Sequence, residues 1–183
     1  MLPLEKANIL SFPPPSERGS SSDFYAESKV IGEEMSLVSK DCLEIYLFLG
    51  GRGSLVVDGF ERELKSGTLC FLTPFDIYTI RPQQGSPLAA YHAEFPYSAT
   101  MGLLADPTIS SATFRILDEQ KGCALLPPLE FARAVRAFED LVSLEKSKSG
   151  MFFRHYVKSL RTLVFSSFTP DNWVNIRTAS EGE

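Results

Sequence analysis

A mainly β fold, an antiparallel sandwich or small barrel followed by an antiparallel pair of helices, is what this chain of 183 residues predicts. Two observations point to the first part. Between Glu44 and Pro74, short segments alternate apolar and polar side chains with the period of a strand, and tight-turn signals separate them at regular intervals. The third observation is a change of period after Pro127-Pro128, where apolar residues recur at helical spacing.

Taken in order, residues 1–23 open the chain as a flexible arm, because SFPPPSERGSSSD is rich in Pro, Ser and Gly and offers little to bury. Phe24 to Val38 holds two short strands around a turn at Gly32. In EIYLFLG, Ile45, Leu47 and Leu49 alternate with Glu44, Tyr46 and Phe48. Gly50-Gly51-Arg52-Gly53 ends that strand and Ser54 to Val57 begins the next. Asp58-Gly59 is a hairpin turn, since both central residues of such a turn take positive φ. Phe60 to Leu64 returns, Lys65-Ser66-Gly67 turns again, and Thr68 to Thr73 runs out to Pro74. Phe75 to Ile80 forms a strand that the loop from Arg81 to Pro87 interrupts, and LAAYHAEF, Leu88 to Phe95, forms another. Residues 24–126 are thus assigned to the barrel.

The helical part covers residues 127–169. Phe131, Ala134, Val135, Phe138, Leu141 and Val142 make one apolar stripe, with proline tolerated in the first turn. After a turn at Ser147 to Gly150, Phe153, Tyr156, Val157, Leu160, Leu163 and Val164 make a second stripe. Part of this surface packs on the barrel, and any surplus is a dimer surface. Residues 170–183 are a polar linker or tail.

Composition narrows the function. A net charge of -5 and a pI of about 5.2 make the chain a poor nucleic-acid binder by itself. No run approaches the length of a membrane span, and the amino terminus lacks the basic start and apolar core of a secretory signal. Cys42, Cys70 and Cys123 show no CxxC spacing, and Cys70 sits in an apolar strand as a reduced, buried thiol. The chain is read as cytoplasmic. It contains no nucleophile elbow, P-loop, dinucleotide fingerprint or HExxH motif, and GGRG at residues 50–53 is a hairpin cluster with no helix behind it. A Cys70–His92 nucleophile pair is the one remaining combination of that kind.

The order Glu44-x6-Gly51-x-Gly53, then Asp58-Gly59, then Gly67-x-Leu69-x-Phe71-Leu72-x-Pro74 resembles the cupin signature. More narrowly it resembles the effector-binding and dimerisation domain of AraC-type transcription regulators, over about Ser36 to Pro96, and the trailing helix pair has the order of that domain. The resemblance implies a cupin-like double-stranded β-helix (jelly-roll barrel) with a carboxy-terminal antiparallel helix pair. It also implies a small-molecule effector in the barrel and a homodimer formed by the second helix through Phe153, Tyr156, Val157, Leu160, Leu163 and Val164. Contact with DNA would come only through two helix-turn-helix units that this chain does not contain, as in a fragment cut after Asn172 or a stand-alone sensor. Effector binding would order the arm over the pocket or shift the helices.

Metal-binding cupins hold their ion with His-x-His-x3-4-Glu and a later histidine. With Glu44 in the carboxylate place, the first two positions fall on Val38 and Lys40, or on Leu37 and Ser39, and the last on Tyr78 or Thr79. None of these is an imidazole, so no metal or other cofactor is expected. The resemblance places Glu44, Tyr46, Phe48, Tyr78 and His92 in the effector pocket. Such a pocket, aromatic with a few polar handles, suits a sugar or equally an amine. The competing readings are a structural, hydrogen-bonded His92 and a Glu44 paired with Arg52, Arg81 or Lys40 at the barrel mouth. A second function, a metal-free cupin enzyme such as a sugar epimerase or isomerase, would use His92 as base and Tyr78 as acid. A storage-protein-like structural cupin is a third.

Overall fold

The computed structural model describes residues 24–38, 42–74, 76–96, 122–147 and 152–166. The expected arm (1–23), the turn at 148–150 and the tail (170–183) lie outside the described residues, as does the end of the helical part at 167–169. Nine strands form two antiparallel sheets among the described residues. These are β1 (Tyr25–Ile31), β2 (Met35–Val38), β3 (Cys42–Gly50), β4 (Gly53–Val57), β5 (Phe60–Leu64), β6 (Thr68–Leu72), β7 (Ile77–Pro82), β8 (Leu88–Pro96) and β9 (Cys123–Leu125). Two helices follow, α1 (Pro128–Ser147) and α2 (Phe152–Ser166).

The larger sheet runs β1-β8-β3-β6-β9 and the smaller β2-β7-β4-β5. From β1 to β8 consecutive strands therefore alternate between sheets except at the β4–β5 hairpin, which is a jelly-roll order, and β9 then joins the larger sheet beside β6. That hairpin turns at Asp58 and Gly59, both at positive φ, as the Asp-Gly signal requires. Gly51, at φ 84°, lies so close to the Pro87 carbonyl that a Cβ there would collide with backbone. This close approach brings the β3–β4 crossover against the loop that feeds β8.

Strand parity divides the apolar residues into two cores. Tyr46, Phe48, Cys70, Leu72, Ala90 and Cys123 from the larger sheet meet Leu55, Val57, Leu64, Tyr78 and Ile80 from the smaller. The opposite face of the larger sheet, with Leu43, Ile45, Leu47, Phe71, Ala93 and Phe95, is covered by Ala134, Phe138 and Leu141 of α1 and by Tyr156, Leu160 and Leu163 of α2. Ring contacts fix this layer: Tyr91 stacks on Phe138 at 5.5 Å and Phe95 meets Tyr156 at 4.8 Å.

The dimer assignment for the second helix needs correction at three positions. Tyr156, Leu160 and Leu163 are buried within the single chain, so their apolar surface is already spent on α1 and the sheet. Val157 is half-buried against the same core, and the side chains of Phe153 and Val164 lie outside the described residues. What α2 presents outward is basic: Arg154, Lys158 and Arg161 are exposed.

Two smaller differences concern strands. β7 extends through Arg81 to Pro82, which pairs with Gly53. Proline is tolerated because it occupies the last residue, where no further ladder donor is needed. β9 was not expected from sequence: three residues show no alternation, and the strand exists by pairing with β6 across a long separation in sequence. It sets Cys123 opposite Cys70 with the sulfurs 3.2 Å apart, and burial, reinforced by the neighbouring thiol, pushes Cys70 up and keeps it neutral.

Candidate functional site in the barrel interior

The inner face of the larger sheet is built in rows, because paired residues on neighbouring antiparallel strands share a face. One row is Tyr25, Glu94, Glu44 and Leu72. The next is Glu27, His92, Tyr46, Cys70 and Cys123. The third includes Lys29, Ala90 and Phe48. On the smaller sheet, Tyr78 of β7 sits opposite Val57, and Arg62 of β5 sits opposite Leu55.

Four of the five residues assigned to a pocket from sequence meet in one hydrogen-bonded cluster. Tyr78 donates from the facing sheet to Glu44 Oε2 at 2.7 Å, and His92 Nε2 lies 3.1 Å from the same oxygen. The Tyr46 and Tyr78 hydroxyls are 3.2 Å apart. Since Tyr78 gives its proton to Glu44, Tyr46 supplies the proton of that second bond. The Tyr46 ring also lies parallel to the His92 imidazole with centroids 4.3 Å apart. Phe48 joins only through its ring, stacked on Tyr46 at 6.1 Å. Glu44 is buried, and of the cations considered for it Arg81 pairs with Glu34 outside while Lys40 lies outside the described residues.

His92 is held between two carboxylates. Its Nδ1 stands 3.5 Å from Glu27 Oε1, an ion-pair distance without hydrogen-bond geometry, so Nδ1 counts as a buried donor with no hydrogen-bond partner. Burial alone would lower the His92 pKa, but Glu27 and Glu44 outweigh it and raise the imidazole above its ordinary 6.5. In return the His92 contact, against the opposing effect of burial, brings Glu27 down to about 2. Burial first, then the neighbouring Glu44, pushes the Tyr46 hydroxyl well above its ordinary range. Tyr78 rises further, from burial and then from Tyr46 and Glu44. Both phenols stay protonated.

The linkage signs follow. The raised His92 favours the fold fully below pH 6.5, and its contribution fades as pH rises through the folded value. The lowered Glu27 favours the fold above 4.5, and its contribution fades as pH falls from 4.5 towards 2. The pair thus stabilises most between the two windows. In an imidazole proton NMR titration, the His92 resonance is expected to show its midpoint above 6.5. A midpoint at or below that value would contradict the two-carboxylate clasp.

The resemblance to cupins calls for a test of metal fit. Glu44, His92 and Glu94 each offer one ligand atom, and these lie within 4.8 Å of one another. One imidazole with two carboxylates is an oxygen-rich donor set. However, Glu44 Oε2 already accepts from Tyr78 and lies against His92, so a cation bound through it would displace both contacts. The set is not a ready cage. The other histidine, His155, stands exposed on α2.

Sequence reasoning named neither Glu27 nor Arg62 as a site residue. Glu27 was legible in principle, since Tyr25, Glu27 and Lys29 share one parity of β1. Arg62 lies within the charged run Glu61-Arg62-Glu63, where only the buried Leu64 two residues on marks which charge turns inward.

The model of the AraC-like ligand binding domain family matches residues 30–152. No curated protein matches the chain. Among solved structures, a cupin protein from Bacteroides fragilis is 23% identical, with 40% of this chain and 64% of that one covered and a TM-score of 0.35. The Cnp3 cupin domain of Schizosaccharomyces pombe is 17% identical, with coverage of 40% and 56% and a TM-score of 0.38. A Cupin 2 conserved barrel domain protein from Salinispora arenicola is 20% identical, with coverage of 48% and 72% and a TM-score of 0.37. The chain spans less than two thirds of the length of the first two of these. With well over half of its length matched, this chain belongs to the AraC-like ligand-binding domain family.

Proposed function

We propose that this domain senses a small polar molecule through the Glu44–Tyr78–His92–Tyr46 cluster and works as a homodimer in the cytoplasm. Its effect on transcription would pass through a helix-turn-helix segment outside this chain. The observation that supports the reading is that a buried carboxylate, an imidazole and two phenols converge between two sheets of a family built to bind ligands. Hydroxyls of a sugar or an amine would both find acceptors at Glu44 and ring faces at Tyr46 and Phe48. On binding, effector would bias the barrel and its helices between two arrangements.

A calorimetric screen of sugars and amines on the full chain tests this. Binding is expected for at least one class, and to weaken in Glu44→Gln and in a His92→Ala variant that keeps the fold. Binding that ignores both substitutions would move the effector elsewhere. Light scattering reads the dimer: a chain that remains monomeric rejects that part.

The enzymatic alternative asks Tyr78 to act as an acid. A phenol whose pKa is driven up by burial and by neighbouring Tyr46 and Glu44 gives up its proton with difficulty. This favours the sensor over the epimerase.

A further inference from the structure

Strand β9 lies at the edge of the larger sheet, pairs there with β6 alone, and sets two thiols in contact. The Phe71 N–H donates to the Gly122 carbonyl on one side of the Cys70–Cys123 pair, and the Leu126 N–H donates to the Gly67 carbonyl at the far end of β9. By this alternation Cys70 and Cys123 form a non-hydrogen-bonded pair, the kind whose Cα atoms stand about 4.5 Å apart and whose side chains approach most closely. That spacing lies inside the window of about 4.4–6.8 Å that a disulfide spans. The two sulfurs are already 3.2 Å apart, and all three cysteines are free thiols. Gly122 permits the approach: at φ 77° it lies so close to the Phe71 carbonyl that a Cβ there would collide with it. Among the described residues no third ligating side chain joins the two thiols, so the pair lacks the donor set of a metal site.

We infer that Cys70 and Cys123 are a redox-responsive dithiol, which hydrogen peroxide closes into a disulfide that staples β9 to the barrel. Both thiols are fully buried, so reaction begins when the short edge strand opens locally and hydrates Cys123. The hydrated Cys123 thiol loses its proton, and its thiolate attacks the peroxide O–O bond, giving a sulfenic acid and hydroxide. That hydroxide takes up the Cys123 proton. As β9 closes again, the Cys70 sulfur attacks the sulfenic sulfur, the S–S bond forms, and the sulfenic oxygen leaves as water with the Cys70 proton. Two thiols are thus oxidised by two electrons while one peroxide becomes two waters. A disulfide at the short end of its Cα window is strained and more readily reduced, which makes the closure reversible. Its consequence is mechanical. β9 leads through Leu126 into α1 at Pro128, so the bond fixes the entry of the helical layer to β6. Cys70 also stands beside Tyr46 in the row that carries His92. The closure itself requires no effector.

Alkylation mapping and intact mass of the folded full chain, before and after hydrogen peroxide, decide it. Oxidised wild type is expected to keep one alkylatable thiol of its three after unfolding, and to yield a Cys70–Cys123 linked peptide on digestion. Dithiothreitol should return all three. Cys42→Ala should close the same bond, whereas Cys70→Ala should stop at a Cys123 sulfenic acid that dimedone traps. Mapping of wild type carries the decision where Cys70→Ala fails to fold. Amide exchange at Ala124, which pairs with Leu69, should slow about tenfold or more in the oxidised chain and recover on reduction. The inference is overturned if all three thiols survive peroxide in the folded chain, if the bond appears only in urea, or if Cys42 is oxidised while the pair is spared. A bond that forms and leaves Ala124 exchange unchanged rejects the staple.

Discussion

Glu44→Ala is expected to destabilise the fold by about 3–5 kcal/mol, the range for breaking a buried charge pair by removing one partner. The carboxylate accepts from Tyr78 at 2.7 Å and lies 3.1 Å from His92 Nε2, and all three side chains are buried. Truncation leaves the imidazole with Glu27 and Glu94 but without its Nε2 partner, and the Tyr78 phenol without its acceptor. Glu44→Gln keeps an acceptor oxygen of similar shape, so its cost should be smaller, about 1–3 kcal/mol. Urea denaturation of the two variants separates charge from shape. If both fall below about 1 kcal/mol, the cluster contributes little to stability and the protonation of His92 must be reconsidered.

Leu160→Glu is expected to abolish the native fold, and Leu160→Ala to cost about 2–5 kcal/mol. Leu160 lies in the core that α1, α2 and the larger sheet share, beside Tyr156 and Leu163. An ionised carboxylate there would have no partner, and no rearrangement short of lifting α2 away would hydrate it. Circular dichroism and light scattering together distinguish the alternatives. A folded monomer would place Leu160 at a subunit contact instead, whereas loss of helix and of cooperative melting marks it as interior.

The barrel was legible because its signals are local. The Asp58-Gly59 turn, the alternation along β3 and β8, and the parity that sends Glu44, Tyr46, Phe48 and His92 to one side all follow from residues close in sequence. The three positions at which the second stripe was assigned to a partner went the other way for a general reason. An amphipathic helix states how much apolar surface it has to cover and not which neighbour covers it, and here the sheet's own helix-facing residues already matched it. β9 escaped because three residues cannot display a period, and its support is the pairing of Cys123–Leu125 with Thr68–Cys70 of β6, distant in sequence. Arg62 escaped for a related reason. In a run of three charged residues the inward one is selected by the pleat, and the usual expectation that arginine faces solvent points away from it.

Strand β3 belongs at once to both cores. Tyr46 touches His92 and Tyr78 on one side, while Ile45 and Leu47, its covalent neighbours, touch the helical layer on the other. The layer between the inter-sheet core and the helices is therefore a single polypeptide thick. No relay of intervening side chains is needed: a tilt of this one ribbon that admits a guest is, by the same motion, a displacement of the floor on which α1 and α2 rest.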